Sequence, residues 1–240
     1  MNHAIHIHKV TKTFGKKTVL KDIDLSISAG QIYGLIGPSG SGKTTLIKII
    51  VGMDTPSKGD VQVLNTRIPN LKALQNIGYM AQSDALYPEL TGAENMAFFA
   101  SLFKLKKPEQ KERIAYAANL VDLSSHLSKK VGTYSGGMKR RLSLAIALIH
   151  DPQILILDEP TVGIDPELRL SIWNELIRLK EEGKTILVTT HVMDEAEKCD
   201  YLSMVRDGMI LTSGSPSTLK AQFNVSNLEE VFLKAGGTNS

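Results

Sequence analysis

The chain has 240 residues, and its 28 Lys plus Arg stand against 25 Asp plus Glu, a net charge of +3 with a pI near 8.8. That balance is too mild for a dedicated nucleic-acid binder, whose footprint is a strongly clustered basic face. Hydrophobic residues make up 42% of it, enough to bury roughly 70 to 75% of the surface that the unfolded chain exposes. Cys199 is the only cysteine, which rules out an intrachain disulfide and suits a reducing compartment. The opening "MNHAIHIHKVTK" has no apolar h-region, and no stretch reaches the roughly 18 apolar residues of a membrane span. The expectation is a soluble, cytoplasmic chain that meets a membrane only through a partner. Residues 83–149 hold ten basic and six acidic side chains, so the positive excess lies there. A solvated helical surface accounts for it more simply than an anionic leaflet nearby.

Ile5 and Ile7 alternate with His6 and His8, and Ile23, Leu25 and Ile27 alternate with Asp24 and Ser26, which predicts two half-buried, antiparallel strands. His6 and His8 share a strand face, with no carboxylate or cysteine beside them in sequence to complete a metal site. Ile32 to Ile36 is a short apolar strand, followed by a glycine-rich loop and the helical pattern Leu46, Ile47, Ile49, Ile50. Further strands are predicted at Val61–Leu64 and Ile77–Ala81. Thr91 to Glu94 reads as a capping box opening the helix "ENMAFFASLF", and Pro108 stands in the first turn of the next. "RRLSLAIALIH" is a helix, and Ile154 to Asp158 reads as a fully buried parallel strand ending in an acid. Asp165-Pro166 supplies an N-cap and an N1 proline for a helix reaching Glu182 and stopping at Gly183. Thr185 to Thr190 is a second buried strand, and Asp207-Gly208 predicts a tight hairpin.

Gly37-Pro38-Ser39-Gly40-Ser41-Gly42-Lys43-Thr44-Thr45 fits the P-loop spacing between strand and helix. Its backbone N–H groups converge on phosphate oxygens, Lys43 reaches the β and γ phosphates, and the Thr44 hydroxyl ligates Mg²⁺. Asp158, ending a buried strand, needs a cation, and Mg²⁺ supplies one. Glu159 is then placed to polarise an attacking water. Gln82 and His191 each follow a predicted strand, where open α/β sheets place ligands. Gln82 is read as a ligand of Mg²⁺ and the water, His191 as a hydrogen-bond partner of the γ phosphate.

Ser135-Gly136-Gly137 before an apolar helix forms a second anion site, with a hydroxyl, two unhindered N–H groups and a positive dipole end. An N-cap serine alone also starts a helix, but two glycines exceed what a cap needs. With the P-loop around one side of the nucleotide, this turn is read as serving the ATP held by another copy, in a head-to-tail pair about a two-fold axis.

The order P-loop, Gln82, "SGGM", "ILILDEP", "GIDP", His191 resembles the nucleotide-binding subunit of ATP-binding cassette (ABC) transporters along essentially the whole chain. The resemblance implies that Phe14 stacks on adenine, that Asp165 communicates between two subunits, and that residues after Gln82 touch a transmembrane permease. Tyr134 and Met138 depart from the commoner "LSGGQ", while the serine and both glycines remain. "SGGMKRRLSLAIALIHDP", "LYPELTGAENMAFFASLF" and "NLEEVFLKAGG" are most similar to bacterial exporters of drugs, antibiotics or polysaccharides.

The expected fold is α/β: a P-loop NTPase core with a mixed, mostly parallel sheet, an N-terminal antiparallel β subdomain and an inserted α-helical subdomain. Residues 1–240 form one ABC ATPase domain, with 1–82 and about 151–240 as the ATP-binding core and about 83–150 as the helical signature subdomain. The expected ligands are ATP and Mg²⁺. The expected partners are a second ATPase subunit, most simply a homodimer, and a permease on the inner face of the cell membrane, with no nucleic acid. A soluble ABC-type ATPase and a P-loop kinase for a small molecule are the rival readings. The first lacks its fused second cassette or long coiled-coil insertion here, and Glu159 with His191 favours water as the acceptor.

Overall fold

The computed structural model describes residues 3–83 and 85–237. Met1, Asn2, Asp84 and Thr238–Ser240, which enter the charge count and the quoted termini, lie outside them. The chain divides into two compact units, one drawn from Met1–Leu74 and Thr185–Ser240, the other from Gln75–Lys184.

The first unit opens with β1 (His3–Phe14) and β2 (Lys17–Ser28), paired antiparallel as their period-two pattern predicts. Ile5, Ile7, Val10, Leu20, Ile23 and Ile27 form the buried face. On the other face His6 Nδ1 meets Ser26 Oγ at 2.9 Å and His8 Nδ1 meets Asp24 Oδ1 at 3.1 Å. β3 (Ile32–Ile36) is buried at every position and leads through the glycine-rich loop into α1 (Lys43–Ile50). β4 (Lys58–Val63) and β5 (Thr66–Arg67) complete the sheet β2-β1-β4-β5. The predicted strand Val61–Leu64 stops one residue sooner, because Leu64 and Asn65 (φ 49° and 60°) form the two-residue turn between the paired Val63 and Thr66. Two successive positive φ values suit the twist of such a hairpin. The short α2 (Leu71–Leu74) follows.

In the second unit, β6 (Ile77–Met80) is followed by α3 (Gly92–Leu102), α4 (Lys107–Leu120) and α5 (Gly136–Leu148). The capping box is formed: Thr91 Oγ1 accepts from Glu94 N at 3.2 Å and Glu94 Oε2 accepts from Thr91 N at 2.7 Å. β7 (Ile154–Asp158) lies parallel to β6, and α6 (Pro166–Glu181) carries the buried Trp173.

The first unit resumes with β8 (Thr185–Thr190), α7 (Met193–Ala196), β9 (Tyr201–Arg206) and β10 (Met209–Gly214). β3 runs parallel between β8 and β9, and β10 returns antiparallel through the Asp207-Gly208 hairpin. Sequence periodicity did not signal α8 (Pro216–Phe223) or α9 (Leu228–Ala235), which are short and capped by Ser215 and Asn227. Their Leu219, Leu228 and Val231 close a core with Ile36, Leu202 and Met204. Burial on the sheet, rather than helix propensity, accounts for such short helices.

Candidate functional site

In the first unit, the phosphate-binding candidates sit at the carboxyl end of β3. A Cβ at Gly37 would stand 2.1 Å from the Val205 carbonyl oxygen, so the loop can follow this path only without a side chain there. Gly42 caps α1 at φ 107°, a backbone closed to most other residues. Pro38, Ser39 and Gly40 are exposed at the crest, and Ser41 is buried with its Oγ making no hydrogen bond. Lys43 is 5% exposed, and its Nζ donates to the Gly37 and Pro38 carbonyls at 2.7 and 3.1 Å. Its cation is thereby folded back over the loop. Thr44 and Thr45 are half-buried in the first turn of α1. Ile36 and Thr190 are register partners in β3 and β8, so Gly37 and the exposed His191 leave neighbouring strand ends side by side. Phe14, at the end of β1, is 51% exposed, and Lys12 Nζ lies 4.7 Å from its ring centroid.

The second unit repeats this arrangement. Met80 pairs with Leu157, so Gln82 and the pair Asp158-Glu159 emerge from adjacent parallel strands at the same end. Gln82 Nε2 donates to Glu159 Oε2 at 3.3 Å. Asp158 is fully buried, whereas Glu159 is half-buried with a left-handed φ of 54°. Tyr79, on β6, has its phenol pushed up to about 12, first by burial and then by the Asp158 charge.

Between these turns lies a residue that sequence reasoning passed over. Arg140 of α5 is 8% exposed. One terminal guanidinium nitrogen donates to the Ala81 and Gln82 carbonyls at 2.6 and 3.0 Å; the other donates to the carbonyl of Asp158 and, at 2.6 Å, to that of Glu159. In sequence it is one of three consecutive cations, and nothing marks it as the one that turns inward.

Ser135 caps α5, its Oγ accepting from Met138 N at 3.2 Å. Asp165 caps α6, its Oδ1 accepting from Leu168 N at 3.0 Å. The two caps line one cleft of about 260 Å³, shared with Gly137, Met138 and Arg141. Tyr134, where leucine is commoner, is buried and its hydroxyl donates to the His126 carbonyl at 2.7 Å. A Cβ on Gly137 would meet the Gly163 carbonyl at 3.2 Å, but one on Gly136 would meet nothing within 4 Å.

A buried strand, a glycine-lined loop folded around a lysine and a helix starting at that lysine define a P-loop nucleotide-binding domain of mixed α/β architecture. Residues 20–162 match the family model described as ABC transporter, and the chain belongs to that family. It is 42% identical over 219 residues to the Nod factor export ATP-binding protein I of Rhizobium meliloti (strain 1021), covering 90% of this chain and 65% of the relative's length. Among solved structures, an ATP-binding subunit of an ABC transporter superposes with a TM-score of 0.91 at 26% identity, over 97% of this chain and 99% of that one. A dimeric ATP-binding cassette in a post-hydrolysis state bound to ADP and Pi gives 0.82 at 28% identity, over 88% and 98%.

Proposed function

We propose that this chain is the ATP-hydrolysing subunit of an ABC exporter, working as a dimer that grips each ATP between two copies and drives a separate transmembrane permease. In the first unit, residues 37–45 hold the phosphates, Lys43 turns from its loop carbonyls toward the β and γ oxygens, His191 hydrogen-bonds the γ phosphate, and Phe14 offers an exposed ring for adenine. The buried Ser41 hydroxyl, which makes no hydrogen bond, fits a loop built around an oxygen-rich ligand. In the second unit, Glu159 serves as general base and Gln82 holds it and the attacking water. The hydroxyl of Thr44 in the first unit, and in the second the amide oxygen of Gln82 and the carboxylate of Asp158, are each oxygen donors of the kind that Mg²⁺ prefers. When bound, Mg²⁺ neutralises charge developing on the phosphates. Residues 1–82 and about 151–240 make up the ATP-binding core in this reading, with the helical signature segment of about 83–150 inserted.

The observation that carries the dimer is Gly136. Its side of the turn is open, so nothing within the chain requires a glycine there. A bare backbone N–H at a helix start suits an anion approaching from outside, here the nucleotide of the second copy. Asp165, lining the same cleft, is then placed to carry signals between subunits. Among the described residues no helix is long and apolar enough to cross a membrane, so transport on this reading needs a permease. Export is supported by the relative's name. The chain spans only 65% of that relative's length, and the cargo is left to the permease.

Glu159→Gln tests the reading. It should keep ATP affinity, lose on the order of 10²- to 10⁴-fold in turnover, and accumulate an ATP-dependent dimer on size-exclusion chromatography. Wild-type turnover would remove the base assignment, and a strictly monomeric, ATP-loaded variant would remove the shared grip.

A further inference from the structure

We propose that Arg140 is a positioning residue for ATP hydrolysis: its guanidinium fixes the backbone of Gln82 and of Glu159 as one body with helix α5. The inference rests on the reading of Glu159 as the base. Four N–H bonds radiate from the two terminal nitrogens of an arginine. Here each pair is divided between two carbonyls, those of Ala81 and Gln82 on one nitrogen and those of Asp158 and Glu159 on the other.

The second pair is the informative one. The Asp158 carbonyl belongs to the peptide plane before the Glu159 Cα, and the Glu159 carbonyl to the plane after it. Rotation about φ moves the first plane and rotation about ψ moves the second, so one nitrogen bonded to both fixes the two dihedrals together. Glu159 needs such a restraint. Its φ of 54° lies in the left-handed region, which costs a non-glycine residue about 1–2 kcal/mol and persists only where the surroundings over-determine it. The other nitrogen does the same service for the Gln82 turn, whose side chain reaches Glu159 Oε2 at 3.3 Å. Arg140 therefore sets the base and its side-chain partner against one another, from a helix whose first residue follows the Ser135 cap. A lysine, with three donors radiating from one atom, cannot span both turns.

The test measures steady-state turnover against ATP concentration for Arg140→Gln and Arg140→Lys, each alone and combined with Glu159→Gln. Melting temperature and binding of a fluorescent ATP analogue are followed in parallel. Misplacement of a reacting group by about 1 Å costs on the order of 100-fold, so kcat should fall about 10- to 100-fold in Arg140→Gln, with the lysine variant recovering only part. KM and nucleotide affinity should stay within about threefold, because the interaction lost acts on the chemical step. In the Glu159→Gln background the same substitutions should cost clearly less than in the wild type, since one of the two groups they position is gone and only the Gln82 turn is left to displace. Three results would overturn the proposal: a folded Arg140→Gln with wild-type kcat, a loss carried by KM and melting with kcat retained, or losses that multiply in the double variant. If the glutamine variant does not fold, the lysine variant is judged by the same criteria. Wild-type turnover in Glu159→Gln alone would instead overturn the base assignment and, with it, this role for Arg140.

Discussion

Replacing Glu159 by glycine and by alanine separates the backbone of this position from its chemistry. Both variants lose the carboxylate and should lose turnover alike, so their difference reports only the left-handed φ of 54°. Adopting that conformation costs alanine about 1–2 kcal/mol and glycine almost nothing. Glycine returns about 0.5–1 kcal/mol of this through its greater freedom in the unfolded chain. Glu159→Gly should therefore be more stable than Glu159→Ala by about 0.5–1 kcal/mol, the reverse of their order at a helical site. For a chain of 240 residues, where 1 kcal/mol shifts the midpoint by about 2–4 °C, calorimetry on nucleotide-free protein should place glycine about 1–4 °C above alanine. Alanine equal to or above glycine would refute the backbone strain at Glu159, and with it the need for Arg140 to restrain it.

Gly136→Ala should leave the melting temperature unchanged or slightly raised, because a Cβ there meets nothing and alanine is the better helix former. It should still lower turnover and ATP-dependent dimerisation; wild-type turnover would show that nothing approaches this N–H closely. His150, stacked on Phe103 at 3.5 Å, has its imidazole pushed down to about 4 by burial, against the opposing pull of its hydrogen bond to the Ile77 carbonyl. Arg113 and Lys184 lower it further and Asp151 raises it. Its folded pKa lies below the ordinary histidine value of 6.5, so the neutral ring favours the fold above that pH, and stability falls as the pH drops from 6.5 toward 4. Unfolding at pH 5 should take up about one proton through this ring, an uptake that His150→Gln should abolish in calorimetry across buffers of different ionisation enthalpy.

Local signals were legible because they act within a few residues. The Thr91, Ser135 and Asp165 caps each bond an N–H three positions on, and the Asp207-Gly208 turn shows the positive φ values (51° and 75°) that its residue types suggest. The P-loop was readable for the same reason, since its glycine spacing encodes a local backbone path. Leu64 was not: a leucine at φ 49° is set by the pairing of β4 with β5, and its own preferences oppose it.

The sequence by itself determined which residue types were on hand for phosphate chemistry and where several strands and helices lie, because periodicity, caps and turns are written in neighbouring residues. Only the tertiary structure decided that Ile36 lies beside Thr190 and Met80 beside Leu157, the pairings that bring candidate residues to shared strand ends. It also decided which of three adjacent cations, Lys139, Arg140 and Arg141, turns inward. The facing of α5 decides that, by setting one guanidinium against carbonyls 59, 58, 18 and 19 residues away, a separation at which sequence patterns carry no register.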